Sequence, residues 1–213
     1  MTIAPEYFAE VEDIYNAIEK QKCKAISFSS SQGSEGVADI ILLTAKRYAK
    51  MAKRVLIVDM NSFQSQFSHD KQASWQASDF TSQTQSIEQL ANNIDVLPYP
   101  ESELEPDMAF RDESKLQNML ATLVSKYDLV MVDTCPLTRI NAANIPAQFI
   151  AACCDGNFII VTPGITKESN FLKAINMLSS IQINNLGIIV NDFASPALNI
   201  QMTKTISQRL GFF

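Results

Sequence analysis

Short apolar runs rich in β-branched residues recur along the chain, and segments with helical spacing separate them. The runs are "KAISFS" (24–29), "RVLIVD" (54–59), "IDVLP" (94–98), "DLVMVD" (128–133), "NFIIVT" (157–162) and "LGIIVN" (186–191). Their apolar character is near-continuous rather than alternating, which suits strands covered on both sides. Strands that alternate with helices pair in parallel, because each crossover carries a helix onto one face of the sheet. The expected fold is therefore α/β, a mostly parallel sheet with helices on both faces. Helical patterns fall at 6–20, 37–53, 86–92, 113–126, 142–153, 167–181 and 199–210. In the fourth, Leu116, Met119, Leu120 and Leu123 form a stripe at i, i+3, i+4 and i+7, read as core packing.

With 213 residues, the chain is long enough for one domain, 1–213, with a substantial core. Neither an internal repeat nor a linker divides it. The stretch 61–86, "NSFQSQFSHDKQASWQASDFTSQTQS", is polar, weakly periodic and rich in Ser and Gln. Connections of this length are functional loops or mobile ones. Trp75 and Phe80 inside it are anchors to the body or a partner-binding tip.

A net charge of −6 and a pI of about 4.8 oppose unspecific attraction to nucleic acid or to an anionic membrane. Lys46, Arg47, Lys50, Lys53 and Arg54 form the one basic cluster of note and read as a solvated helix face with its exit turn. The cysteines Cys23, Cys135, Cys153 and Cys154 show no C-x-x-C spacing and lie far from the lone His69, which argues against zinc. No apolar run has the length of a membrane span, and the acidic N-terminal stretch is unlike a basic secretory start. The expectation is a cytosolic chain with reduced thiols and no direct membrane insertion.

Between the first run and the second helical pattern lies "SSSQGSEGVADI". Strand, glycine-containing turn and helix start give the outline of a phosphate-binding loop. Such a loop uses a lysine to reach the β and γ phosphates and a hydroxyl to ligate Mg²⁺. Here those places hold Val37 and Ala38, and Asp39 follows.

Two further motifs make the pattern specific. "LVMVDTCP" supplies an apolar run followed by Asp133-x-x-Pro136, and "LIVDMNSF" ends its run in Asp59. In this order the motifs resemble the deviant P-loop ATPases of the ParA and MinD group, and most closely the bacterial tyrosine kinases of polysaccharide export. The resemblance spans about residues 6–191 and implies the three-layer fold of P-loop NTPases. In that family the loop reads roughly P-G-E-G-K-S-T, the second motif apolar-D-x-D-x-R and the third apolar-D-x-x-P. Gly33 and Gly36 match the loop, Val37 and Ala38 depart from it, and Gln32 takes the place of the ParA/MinD signature lysine. In the second motif Asp59 is kept while Asn61 and Phe63 replace Asp and Arg; Asp133 and Pro136 keep the third. Asn191 matches an asparagine that contacts adenine in the superfamily, though Asn also commonly ends strands. Glu10 matches the family's ring-forming E-x-x-R-x-x-R, with Asp13 and Asn16 at the arginine places, and the chain ends in Phe212 and Phe213 without a tyrosine cluster.

A hydrogen bond to a charged group contributes roughly 1.5–3 kcal/mol, so loss of the lysine and metal contacts weakens triphosphate binding by on the order of a thousandfold. The expectation is a non-catalytic homologue without a nucleotide cofactor. It would act through protein contact in exopolysaccharide or capsule assembly, and the resemblance implies an inner-membrane polysaccharide co-polymerase as partner and a homodimer as one assembly. Two alternatives stay open. One is an active ATPase or kinase that holds ATP or ADP with Mg²⁺ in a rearranged site. There Lys24, Lys167 or a second subunit replaces the lost lysine, and Asp59 and Asp133 hold the metal or position water. The other is a MinD-type positioning factor, for which the segment with Lys204 and Arg209 is a weak membrane anchor. In the non-catalytic reading, Asp133 caps the turn after its strand and Pro136 sets that turn's φ.

Overall fold

A computed structural model describes residues 8–67, 75, 80–99, 112–140 and 144–192. Among these, the elements run α1 (Ala9–Gln21), β1 (Ala25–Ser30), α2 (Val37–Lys50), β2 (Val55–Met60), α3 (Phe80–Gln85), β3 (Glu88–Ala91), β4 (Ile94–Leu97), α4 (Glu113–Val124), β5 (Leu129–Thr134), α5 (Ala147–Ala152), β6 (Gly156–Val161), α6 (Glu168–Ser179) and β7 (Asn185–Val190). The sheet order is β3-β4-β2-β5-β1-β6-β7, parallel throughout except for β3, which runs antiparallel to β4. This is the α/β architecture expected from the alternating runs.

Every residue of β1, β2, β5 and β6 is buried, the consequence of helices on both faces. Ile26, Phe28, Ile57 and Met131 meet α1 and α2 on one face. Leu56, Val58, Val130 and Val132 meet the Leu116, Met119, Leu120 and Leu123 stripe of α4 on the other. Ile159 and Val161 continue that second face under α5 and α6. Consecutive strand residues point to opposite sides, so an unbroken apolar run feeds both cores at once.

The expected helix at 86–92 is instead the edge strand β3, preceded by the short helix α3. Asn92 and Asn93 form the turn into β4, and Asn93 takes a left-handed φ of 62°, a conformation Asn tolerates. Hairpin pairing with β4 outweighs the local helical spacing. Of the helix expected at 142–153, the structure has Ala147–Ala152, with Pro146 as N-cap; a proline disfavours helical backbone at the residue before it. The expected helix 199–210 and the pair Phe212 and Phe213 lie outside the described residues.

Trp75 is an anchor. Its side chain is buried in the core against α4, and its indole Nε1 donates to the Pro98 carbonyl at 2.7 Å. Phe80 opens α3.

Of the basic cluster, Lys46, Lys50 and Arg54 are exposed as a solvated face would be, but Arg47 and Lys53 are not. Arg47 bonds Glu12 through both ends of its guanidinium and lies 4.3 Å from the Tyr15 ring centroid, while Lys53 pairs with Glu19 at 2.8 Å. With the Tyr15–Tyr48 ring contact at 4.7 Å, these pairs clamp α1 onto α2. Val11, Ile14 and Ile18 face the core as the helical spacing requires, but Phe8, one turn earlier, is exposed. Glu10, Asp13 and Asn16 are exposed on the outer side of α1.

Candidate functional site

The parallel strands β2, β5, β1 and β6 all end at one rim, where the connections from β1 and β5 leave in different directions; α/β sheets bind ligands at such a place. The loop from Ser31 to Gly36 sits on this rim between β1 and α2. Leu137 N donates to Ser30 O at 2.9 Å, and Thr138 Oγ1 donates to Ser31 O at 2.7 Å, which ties the loop to the turn after β5.

Both loop glycines are needed by the backbone. Gly33 has φ +92° and lies against the Pro136 ring, so that a Cβ would stand 2.4 Å from Pro136 Cγ. Gly36 has φ +77°, and a Cβ there would stand 2.4 Å from Asn191 Nδ2. Gly36→Ala is expected to cost about 1–2 kcal/mol, the left-handed penalty for a residue with a Cβ. Because Asn191 must also shift, a urea melt should show a lower midpoint with an unchanged slope.

The other candidates have been drawn into protein contacts. Gln32 donates from Nε2 to Ile165 O at 2.7 Å and accepts from Asn170 Nδ2 at 2.7 Å, which binds the loop to the start of α6. Asn191 donates from Nδ2 to Glu35 O at 2.9 Å, beside a second bond to the same carbonyl from Thr162 Oγ1 at 2.9 Å. Val37 and Ala38, the first residues of α2, are buried in the apolar cluster with Ile41 and Phe28. Asp39 is exposed in the same turn. Lys24 stands before β1, at the opposite end of that strand from the loop, where Nζ reaches Asp128 O at 3.4 Å; it cannot replace a loop lysine. Lys167 is the N-cap of α6, in the segment that Gln32 touches.

Asp59 and Asp133 are register partners on adjacent strands, both completely or almost completely buried. Asp59 accepts from Asn61 N at 3.0 Å and Ser65 Oγ at 2.7 Å. Asn61 in turn accepts from Phe63 N and Gln64 N at 3.3 Å each, so the second motif closes into a turn capped by its own asparagine. Phe63 is left exposed. Burial raises the Asp59 pKa against these hydrogen bonds. Burial, and then the neighbouring Asp59 charge, push Asp133 well above the usual carboxylate range, although Asn61 and the Thr134 amide oppose the shift. Oδ1 of Asp133 has no hydrogen-bond partner, so the turn-capping role expected of this residue is at most half met. Pro136 acts through its packing against Gly33.

Two adjacent carboxylates with an unpartnered buried oxygen have the hard-oxygen chemistry that suits Mg²⁺, which one or two carboxylates and a substrate's phosphates commonly hold. Among the described residues, no three or more His, Cys, Asp or Glu side chains gather as a metal site. Asp59 and Asp133 are the residues here that could hold such an ion. At the start of α2, Val37 and Ala38 present only apolar side chains.

Glu35 was not singled out from the sequence, yet it is the most heavily bonded side chain of the loop. Its Oε1 accepts from Ser31 N, Ser31 Oγ and Gln32 N at 3.1, 2.7 and 3.0 Å, and its Oε2 accepts from Gly33 N and Ser34 N at 2.7 Å each. The signal was available: an acid within a loop of inward-facing amides is the nearest anion those amides can find.

A parallel sheet of this order, with a glycine loop after its first strand and Asp59 and Asp133 at the ends of two others, defines a P-loop-type α/β domain. The fold is shared with bacterial tyrosine kinase domains and ParA-like ATPases, and the sequence is similar to that of one such kinase. Its sequence is 25% identical over 199 residues to the tyrosine-protein kinase CpsD of Streptococcus pneumoniae, covering 87% of this chain and 86% of that one. The kinase domain of the Escherichia coli tyrosine kinase ETK superposes with a TM-score of 0.72 at 16% identity, over 89% of this chain and 75% of that one. A ParA family ATPase from Chlorobium tepidum superposes with a TM-score of 0.65 at 17% identity, over 88% and 81%. No family model matches the chain.

Proposed function

We propose that the chain is a non-catalytic relative of the bacterial tyrosine kinases, one that acts by protein contact to regulate or scaffold exopolysaccharide or capsule biosynthesis and export. The observation that carries this reading is the burial of Val37 and Ala38 in the apolar core at the positions of the loop lysine and hydroxyl. Neither side chain can stabilise the charge of a transferred phosphoryl group or ligate Mg²⁺. Gln32 and Asn191, which stand at two further nucleotide-contact positions, are committed to Ile165, Asn170 and Glu35. The partner class in this reading is a protein, with an inner-membrane polysaccharide co-polymerase as the first candidate and a second copy of the chain as another. No helix among the described residues is long and apolar enough to cross a membrane.

Titration calorimetry with Mg·ATP and Mg·ADP tests the reading. Loss of the lysine and hydroxyl contacts is expected to leave dissociation constants on the order of millimolar or weaker. Micromolar binding would establish the second reading, an active ATPase or kinase with a rearranged site. The unpartnered Oδ1 of Asp133 favours that alternative, since a divalent cation would satisfy it.

A further inference from the structure

We propose that Glu35 is the loop's own anion, a tethered carboxylate that holds the turn between β1 and α2 closed in the absence of any ligand. An exogenous anion then gains these amides only by displacing it.

Successive backbone N–H groups that converge in a turn form a concavity with positive potential, and they need an acceptor when water is kept out. In this loop four consecutive amides, from Ser31 to Ser34, all donate to the one carboxylate, with the Ser31 hydroxyl as a fifth donor. Glu35 is 1% exposed, so these bonds are shielded from water. The backbone of the same residue is pinned from across the sheet, since Thr162 Oγ1 and Asn191 Nδ2 both donate to its carbonyl. Both ends of Glu35 are therefore held, and the carboxylate faces the amides at the high effective concentration of an intramolecular group. A phosphate that entered would have to break all five bonds and leave the displaced carboxylate close to its own negative charge. All five bonds lie within residues 31–35, so the contact does not rest on whether the chain turns over nucleotide.

The test uses the full chain without nucleotide, as wild type, Glu35→Ala and Glu35→Gln. Amide hydrogen exchange at residues 31–34 is expected to accelerate at least about tenfold in both variants, while the strands of the sheet keep their protection. Glu35→Gln matters because it keeps the size of the side chain and turns an NH₂ group toward N–H donors; it also serves if Glu35→Ala does not fold. The melting temperature of Glu35→Ala should recover in sodium acetate relative to sodium chloride at equal ionic strength, because acetate matches the group removed, and by more than the general salt response of the wild type. Unchanged exchange at 31–34 in Glu35→Gln would overturn the proposal. So would an acetate response equal in Glu35→Ala and wild type, which would assign Glu35 a packing role only.

Discussion

Asp133→Asn is expected to melt at a higher temperature than the wild type near pH 8, with a stability that varies less with pH. The wild-type carboxyl is buried beside Asp59, and Oδ1 has no partner. Its pKa in the folded protein is raised by burial first and by the Asp59 charge second. The folded state therefore holds this proton to higher pH than the unfolded chain does. For a group shifted in this direction, the stabilising contribution is complete below the unfolded value of about 3.9 and is lost as pH rises through the folded value. Asparagine keeps the shape and cannot ionise. Replacing a buried, incompletely bonded carboxyl that the unfolded chain would ionise is expected to contribute about 2–3 kcal/mol near pH 8, or roughly 4–12 °C in melting temperature for a chain of this size. Asp59 is shifted in the same direction and remains in the variant, so a residual slope should persist. Thermal melts at a series of pH values from 5 to 8 check this. Parallel profiles for the two proteins would show that Asp133 carries no such penalty.

Trp75→Ala is expected to cost about 3–5 kcal/mol, the range for truncating a large buried aromatic. Trp75 is 2% exposed and lies in the cluster with Leu97, Leu116 and Leu120. Its loss leaves a cavity in that cluster and an unbonded Pro98 carbonyl. At roughly 2–4 °C per kcal/mol for a domain of this size, the melting temperature should fall by about 6–20 °C. Trp75→Phe keeps part of the ring volume but loses the indole donor, so it should fall between the two. A melting temperature for Trp75→Ala within a degree or two of the wild type would show that the residue is not an anchor.

The strand runs were legible because burial on both faces imposes one requirement, continuous apolar character, that needs no knowledge of partners. The same holds for the α4 stripe, where helical spacing alone placed Leu116, Met119, Leu120 and Leu123 on one side. Glu88–Ala91 was misread as helix because its pairing with β4 is settled by the Asn92-Asn93 turn, whose backbone shape outweighs the weak local spacing. Arg47 and Lys53 looked like a solvated face because a single chain position does not reveal Glu12 and Glu19 on the neighbouring helix.

At the candidate site, the residue types were legible and their engagements were not. That Val37 and Gln32 carry no positive charge and Ala38 no hydroxyl followed from their side chains, since no fold gives valine a charge. Gly33 and Gly36 marked a turn of unusual backbone shape, and both have positive φ. Sequence by itself thus determined the layered α/β architecture, the place of the loop within it and the chemistry the loop lacks. Only the tertiary structure decided what the remaining polar groups do, because hydrogen bonds are set by distances between segments far apart in the chain. Asn191 reaches the Glu35 carbonyl across 156 positions and Gln32 meets Asn170 across 138. Asp59 and Asp133 become neighbours only when β2 and β5 pair. The Glu35 carboxylate is the local exception: its partners lie within four residues, but whether it turns in to them depends on the backbone that the two glycines, Thr162 and Asn191 hold in place.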